Sequence, residues 1–346
     1  MTATLAPQSS PTVTRRSGTT RVLWVAGALL VTVLAGLASV AFGVRTVGWH
    51  DVVAGLGGGE ADIAQAAVQK RIPRTVLAML VGAALGLAGA VMQGVTRNPI
   101  ADPGILGVTT GASLAVVSGI AFFGLSSPAS YTWVAIAGAA LAAAFVYTIG
   151  SLGRGGATPL KLALAGAATS AAFSSLINAV LLPRVDILDS FRFWQIGGVG
   201  GASYDRMGQV LPFLAVGAVL CLLAARGLNS LALGDDVAAG LGERVVLTRL
   251  LAFVGAVVLC GAATAVAGPI AFVGLVVPHL CRLLIGIDHR WLLPLSAIVG
   301  AALLTVADVV GRVVARPEEI EVGIITALIG APFFIYIVRR QKVRSL

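Results

Sequence analysis

Ten apolar segments, separated by short polar connections, follow one another along this chain. They span residues 22–43, 75–93, 104–124, 131–150, 160–182, 208–226, 246–267, 269–287, 291–311 and 322–338. A helix that crosses a bilayer needs roughly 20 consecutive, mostly apolar residues. Because ten such helices use most of the 346 residues, no length remains for a sizeable soluble domain. We therefore predict an all-α integral membrane protein with about ten transmembrane helices.

The composition and the charge balance agree with a lipid environment. Charged residues make up 11% of the chain, whereas a soluble domain carries about 25%. The net charge of +9 could indicate a nucleic-acid partner, but the Lys and Arg residues lie at the edges of the apolar segments, where they orient membrane helices. We therefore expect the lipid bilayer as surroundings and no nucleic-acid partner.

The distribution of Lys and Arg predicts the orientation in the membrane. With a cytoplasmic N-terminus, 14 of the 24 Lys and Arg residues fall in inside loops, nine fall in outside loops, and Arg282 lies within the eighth segment. Positive charge accumulates on the cytoplasmic side of membrane proteins. Both termini are therefore predicted to be cytoplasmic, which requires an even number of helices.

The N-terminus could be an export signal, because a Ser-, Thr- and Pro-rich stretch ends in arginines before the first apolar segment. That segment, 22–43, is longer than a signal core of about 7–15 residues. We therefore expect residues 1–20 to be a disordered cytoplasmic tail and residues 21–346 to be a single transmembrane domain.

A weak internal repeat links the second and seventh segments. The second begins at Arg74 and leads to a proline break at 98–101, and the seventh begins at Arg249 and leads to a similar break at 268–271. With five helices in each half, the two segments have opposite orientations, as in the inverted repeats of transporters. The eighth segment, interrupted by Pro269 and Pro278, is the least regular of the ten.

Motifs for catalysis are missing from the sequence. It contains no G-x-x-x-x-G-K-[ST] phosphate loop, no H-E-x-x-H and no G-x-S-x-G. We expect no enzyme activity, no catalytic residue and no cofactor on this chain. Cys221, Cys260 and Cys281 all lie within apolar segments without ligand spacing, which is typical of packing residues.

Few ionisable residues fall within the apolar segments, chiefly Asp308, Arg282 and His279. They do not form the carboxylate chain that a proton relay needs. His279 lacks a second ligand at metal spacing, so we interpret it as a buried structural histidine. Asp308 and Arg312 are four residues apart and are predicted to pair on one helix face, with Arg312 also free to reach outward.

Several motifs, in this order, resemble the FecCD-type permeases of type II ABC importers. They are RIPR at 71–74, NPIADPGILG at 98–107, GPIAFVGLVVPH at 268–279, DHR at 288–290, Ala307-Asp308 and TALIGAPFF at 326–334. The resemblance covers roughly residues 70–340 and implies the type II ABC importer permease fold. It also implies a bacterial plasma-membrane protein that imports an iron(III)-siderophore or a related chelate, such as haem or cobalamin.

The resemblance further implies partners. They are a second permease chain in a homodimer or heterodimer, two ATPase subunits that carry ATP and Mg, and an external substrate-binding protein. An ion-gradient-driven secondary transporter remains the alternative, and an intramembrane enzyme is a more distant one.

Three arginines occupy the positions where members of this family meet acidic residues of the binding protein. They are Arg71, Arg74 and Arg312, all predicted to lie on the outer side. Guanidinium groups suit carboxylate recognition. For Arg71 and Arg74, the alternative interpretation is snorkelling at the membrane edge.

The resemblance also implies a cytoplasmic gate and a coupling segment. The gate positions are Asn98, Pro99, Pro159 and Leu160, of which the last two depart from the small hydroxyl residues of the cobalamin permease. The coupling helices fall in 228–247, with ATPase contacts at Leu233, Gly234, Asp235, Ala238, Leu241 and Gly242.

Local patterns in the coupling segment support a short helix there. Asp235 or Asp236 is predicted to cap it, and Ala238, Leu241 and Val245 recur at helical spacing. An ordinary amphipathic connector is the alternative. Glu321 is a further departure from the family, because many relatives have Pro at this position.

Overall fold

The computed structural model describes residues 18–59, 62–152 and 158–340, and this part of the chain is helical. Its helices are α1 Gly18–Ala41, α2 Trp49–Leu56, α3 Ile63–Thr96, α4 Val108–Phe123, α5 Pro128–Ser151, α6 Pro159–Leu181, α7 Val185–Ile196, α8 Tyr204–Leu223, α9 Ala225–Leu231, α10 Asp235–Gly240, α11 Val245–Ala267, α12 Val273–Ile285, α13 His289–Val314 and α14 Val322–Arg340. A 3-10 turn, Pro103–Leu106, precedes α4. Most of the predicted tail, residues 1–17, lies outside the described residues.

Each of the ten predicted apolar segments overlaps a helix of the structure. Among the described residues, seven helices are long and apolar enough to cross a membrane, and α4, α12 and α14 are shorter apolar helices. The prediction of an all-helical membrane fold is therefore confirmed. Two short helices, α2 and α7, were not predicted, because neither contains an apolar run of membrane length.

Side-chain oxygens set the first residue of several helices. Asp62, Ser127, Thr158, Ser203 and Asp288 each accept a hydrogen bond from a backbone N–H of the first turn that follows. Such caps satisfy amide groups that have no partner within the helix. The helix starts therefore follow from local sequence.

The third helix, α3, forms the centre of the molecule. It packs against α13, α11 and α12, and most of its residues from Leu77 to Val95 are buried. It begins twelve residues before the predicted start at residue 75, because the helix continues through charged positions such as Arg71 and Arg74. Both side chains find partners inside the protein, as described below.

Small residues let α3 and α13 approach closely. A Cβ added to Gly82 would collide with the carbonyl oxygen of Gly300, and one added to Gly86 would collide with that of Ser296. Membrane helices lack a hydrophobic drive toward each other, so close backbone packing stabilises their association. This contact places the two helices that carry Arg74 and Asp308 side by side.

The eighth segment is only partly helical. Residues 268–272 are not helical, and α12 begins at Val273, after Phe272 with φ 70°. Irregular backbone at membrane depth is tolerated where protein covers it. Gly197 and Trp194 lie against Gly268, and Phe272 lies against Gly330 of α14, so α7 and α14 supply that cover. The predicted span 269–287 is correct in place, but its helix is Val273–Ile285.

Candidate functional site

A buried cluster of charges lies at the end of the bundle that is predicted to face outward. Asp308 of α13 is 1% exposed and binds two arginines. Arg74 donates from Nε and Nη2 to Asp308 Oδ1 at 3.0 and 2.8 Å. Arg312 Nη2 lies 2.9 Å from Asp308 Oδ2, which confirms the predicted pair. The second partner, Arg74, was missed because it lies on a different helix.

Arg312 of this cluster and the neighbouring Arg71 both donate hydrogen bonds to the end of α1. Arg312 donates to the carbonyl oxygens of Ser39 and Phe42 at 3.1 and 3.2 Å and to Ser39 Oγ at 2.6 Å. Arg71 donates to the carbonyl oxygens of Val40 and Ala41 at 3.1 and 2.8 Å. The last carbonyls of a helix have no partner within it. The two arginines therefore fasten α1 to α3 and α13.

The burial of the three arginines bears on their predicted docking role. Arg312 is 2% exposed, and Arg71 and Arg74 are also buried, so Arg312 does not reach outward as we had predicted. The snorkelling alternative is wrong for Arg71 and Arg74, because both side chains bind protein groups. Docking of a binding protein on these residues stays a prediction, and in this single chain only Arg74 contacts an exposed carboxylate, that of Glu319 at 2.7 Å.

Glu321, the position that departs from the family, lines a polar cavity beside this cluster. The cavity has a volume of about 150 Å³ and is also lined by Trp194, Arg206 and glycines 198, 200 and 201. Within the described part of the chain, Glu321 Oε2 has no hydrogen-bond partner. Burial raises the pKa of Glu321, with further raising by Glu319 and Asp308, while Arg74 opposes them.

This raised pKa predicts a pH dependence of stability. The folded state favours the protonated Glu321 carboxyl, so it binds more protons than the unfolded chain at pH values between the ordinary pKa of 4.5 and the raised one. Stability should therefore fall as pH rises through this interval. In Glu321→Gln, we expect this part of the dependence to disappear when the melting temperature is measured from pH 4 to 8. An unchanged profile would contradict the assignment.

The predicted gate residues lie at the opposite, inner end of the bundle. Asn98 and Pro99 are exposed, and the Asn98 side chain accepts a hydrogen bond from the N–H of Ile100 at 3.1 Å. Pro99 and Ile100 line a small cavity against α12 and α14. His279, which we predicted to be buried, also lines this cavity but is only half-buried, and it packs edge-on against Phe333.

The other two gate positions begin α6. Leu160 is 70% exposed, and Pro159 is the first residue of the helix, though its side chain is outside the description. The helix packs against the 3-10 turn Pro103–Leu106 that follows the Asn98–Pro99 loop. The structure therefore connects the two halves of the predicted gate through this turn, and gating itself stays a prediction.

Residues that follow the two predicted proline breaks lie close to each other and to the end of α3. Gln93, near the end of α3, donates to the carbonyl oxygen of Gly274 at 3.1 Å and accepts from Arg282 at 2.5 Å. A Cβ on Gly274, which follows the second break, would lie 2.7 Å from Oδ2 of Asp102, which follows the first. Sequence reasoning missed Gln93 and Asp102, because their partners are distant along the chain.

The predicted coupling segment forms two short helices, α9 and α10. Helix α9 begins at Ala225, earlier than the predicted 228, and residues 245–247 already belong to α11. In α10 and the residues beside it, the large exposed apolar side chains are Leu233, Val237 and Leu241, whereas Ala238 is buried within the chain. Gly234 and Gly242 flank α10 with φ 111° and 83°. Contact with an ATPase stays a prediction for this segment.

The predicted cap of α10 is wrong. Gly234 is the N-cap residue of the helix, so neither Asp235 nor Asp236 is in the capping position. Asp235 instead binds Arg97, at the end of α3, and Arg249 of α11, the latter at 2.7 and 2.9 Å. These two charged partners satisfy the carboxylate that the local pattern had assigned to the cap.

Between residues 167 and 178, one exposed face of α6 consists of small and polar residues, whereas Leu160 and Leu164 before it are large and exposed. This face carries Ala167, Ala171, Ser174, Ser175 and Asn178. The exposed face of α1, in contrast, carries large apolar side chains such as Leu23, Leu30 and Leu37. The sequence analysis missed this difference, although the helical spacing of the α6 residues could have shown it.

These observations define a class of protein. A bundle of apolar helices with two proline breaks, a charged outer cluster and an exposed helix pair at the inner end is typical of the membrane-spanning subunit of a transport system. A family model described as the FecCD transport family matches residues 30–340. The chain belongs to this family, which confirms the resemblance drawn from its motifs.

Two named relatives show the breadth of the match. The chain is 44% identical over 324 residues to the ferric enterobactin transport system permease protein FepD of Escherichia coli, covering 93% of this chain and 96% of the relative. It is 46% identical over 273 residues to the iron(3+)-hydroxamate import system permease protein FhuB of Bacillus subtilis, covering 79% and 71%.

A solved structure confirms the fold. It is described as an inward-facing conformation of a metal-chelate type ABC transporter and matches with a TM-score of 0.80 at 30% identity, covering 92% of this chain and 99% of that one. The type II ABC importer fold is therefore confirmed. The chain is a multi-pass permease subunit of an ABC transport system, which works with an ATPase and a binding protein, and not an ion-gradient-driven carrier.

Proposed function

We propose that this chain forms one half of a pathway that imports an iron(III)-siderophore or a related chelate, such as haem, across the bacterial plasma membrane. A second permease chain forms the other half, two ATPase subunits bind the inner end, and a binding protein delivers the chelate to the outer end. The observation that carries this proposal is the exposed polar face of α6.

The residues of this face are unsuited to lipid. Ser174, Ser175 and Asn178 are exposed in the single chain, and polar side chains in membrane helices usually face other protein or water. Small side chains at 167, 168, 171 and 172 also leave room beside the helix. A second chain placed against this side would enclose a passage lined by small, weakly interacting groups.

The nature of the cargo is supported by the relatives. Their names specify ferric enterobactin and iron(3+)-hydroxamate, which hold the metal inside an organic chelator. Such a cargo needs a wide passage and no metal ligand on the permease. ATP binding would close the ATPase subunits, move α9 and α10, and open the passage to one side at a time.

The inner and outer ends of the helix bundle suit their proposed partners. At the inner end, Leu233, Val237 and Leu241 form an apolar surface that would rest against an ATPase. At the outer end, Glu319 is 39% exposed and binds Arg74. An acidic side chain of the binding protein could displace Glu319 there, which is how Arg71, Arg74 and Arg312 would support docking.

Uptake in proteoliposomes tests the function. The permease, its ATPase and its binding protein would be reconstituted and supplied with ⁵⁵Fe bound to a tris-catecholate, a tris-hydroxamate or citrate, and with ⁵⁵Fe-labelled hemin. We expect uptake of at least one of these probes to require internal ATP and Mg. Uptake that follows an ion gradient and ignores ATP would contradict the proposal.

A bulky substitution tests the pathway directly. Ala171→Trp should reduce chelate uptake to about a tenth or less, because an indole at this exposed position narrows the passage. The matched control is Leu37→Trp, at an exposed position on the large apolar face of α1 that would face lipid. We expect the control to transport normally and both variants to keep the wild-type melting temperature. Equal uptake by the two variants would show that this face of α6 does not line the passage.

A further inference from the structure

We propose that Arg97 is a positioning residue that carries the movement of α10 to the cytoplasmic gate loop through its ion pair with Asp235. The proposal rests on the proposed function, because it assumes that an ATPase moves α10. It adds a specific connection between the coupling segment and the gate that family membership does not define.

The first observation is the position of Asp235 between two membrane helices. Its carboxylate binds Arg97, the residue that ends α3, and Arg249, in the first turns of α11. Asp235 is also the first residue of α10. One carboxylate therefore fastens the coupling helix to both helices of the internal repeat.

The second observation is the backbone at Arg97. It is one of two non-glycine residues with a positive φ among the described residues, at 52°, and it occupies the C-cap of α3. Glycine or asparagine is usual at such a position, because other side chains are strained there. An arginine at this position despite the strain favours a role for its side chain.

The third observation is the arrangement around this residue. Asn98 and Pro99 of the gate loop follow Arg97 directly, so movement of Arg97 displaces the loop. Glycines flank α10, and a Cβ on Gly234 or Gly242 would meet no atom within 4 Å. Helix α10 is thus a short unit between two conformationally free residues, which is the arrangement of a hinge.

A purely stabilising role fits this ion pair poorly. Arg97 and Asp235 are 39% and 43% exposed, and ion pairs at such exposure add little to stability. Loss of the pair should therefore leave the melting temperature unchanged. A change in gate movement without a change in stability would separate positioning from structural support.

Spin-label distances test the proposal in the complex with the ATPase. One label pair joins Ala239 of α10 to Arg290, and a second joins Ile100 of the gate loop to Arg290, all at exposed positions. The three native cysteines are buried and should not react. Distances are measured without nucleotide and with Mg-ATP and vanadate, so no chelate is needed.

In the wild type, we expect nucleotide to change both distances. Arg97→Asn keeps a residue suited to positive φ, so the distance from α10 should still change with nucleotide. The fraction of molecules whose gate-loop distance changes with nucleotide should fall about fivefold or more. Asp235→Asn should reduce the gate response in the same way, and Arg97→Lys should retain part of it. Arg339→Ala, at an exposed arginine of α14, is the charge control and should match the wild type.

An Arg97→Asn protein whose gate loop responds as fully as the wild type would overturn the proposal. If instead the wild-type complex shows no nucleotide-dependent change at Ala239 and no ATP-dependent uptake, the proposed function itself fails. The two failures are therefore distinguishable by the α10 distance in the wild type.

Discussion

Replacing Asp308 with Ala should lower the free energy of unfolding by about 3–5 kcal/mol, the largest effect that we expect of any single polar residue. The carboxylate compensates Arg74 and Arg312, which are both buried. Its removal leaves two buried cations without their shared partner. The cost comes mainly from these uncompensated charges, not from the loss of a favourable pair.

Equilibrium unfolding in mixed micelles would measure the effect of Asp308→Ala. The matched control is Glu319→Ala, which removes the exposed carboxylate on the same Arg74 and should cost less than about 1 kcal/mol. A loss of stability in Asp308→Ala no larger than in Glu319→Ala would show that the cluster is not the fastening point we describe.

Replacing Gly82 with Val should destabilise the fold by about 3 kcal/mol or more, toward the upper end of what overpacking causes. A Cβ at this position meets the backbone carbonyl of Gly300, and backbone cannot rotate away as a side chain can. Because the same contact brings Arg74 beside Asp308, separation of α3 from α13 would also strain the charge cluster.

Gly208→Ala is the matched control for the Gly82 substitution. Gly208 lies on α8, where an added Cβ would meet no atom within 4 Å. Alanine has a better helix propensity than glycine, by about 1 kcal/mol, so this variant should be slightly more stable than the wild type. Melting temperature and the yield of monodisperse protein would separate the two. Equal melting temperatures and yields for the two variants would contradict close packing of α3 against α13 at Gly82.

The two ends of the permease are connected by one helix. Arg74 belongs to the outer cluster and Arg97 to the inner ion pairs, and both lie on or directly after α3. With a rise of about 1.5 Å per residue, they are about 35 Å apart. Docking at the outer end and coupling at the inner end would therefore act on opposite ends of the same buried helix.

The sequence by itself determined the segments, their number and the family. A membrane helix is a local feature, because about 20 apolar residues satisfy every backbone hydrogen bond within the segment. The proline breaks at 98–101 and 268–271 could be predicted for the same reason, since proline acts on its own neighbours. The i,i+4 pair of Asp308 and Arg312 is also local, and the structure confirms it.

Only the tertiary structure decided which distant groups share a carboxylate and which helix faces remain open. Arg74 is 234 residues from Asp308, and Arg97 is 138 residues from Asp235. No local pattern specifies such pairs, because they depend on how α3 packs against α13 and against the inner helices. The cap predicted for α10 was wrong for this reason: a side chain that could bond its own backbone instead binds two arginines that packing brings near.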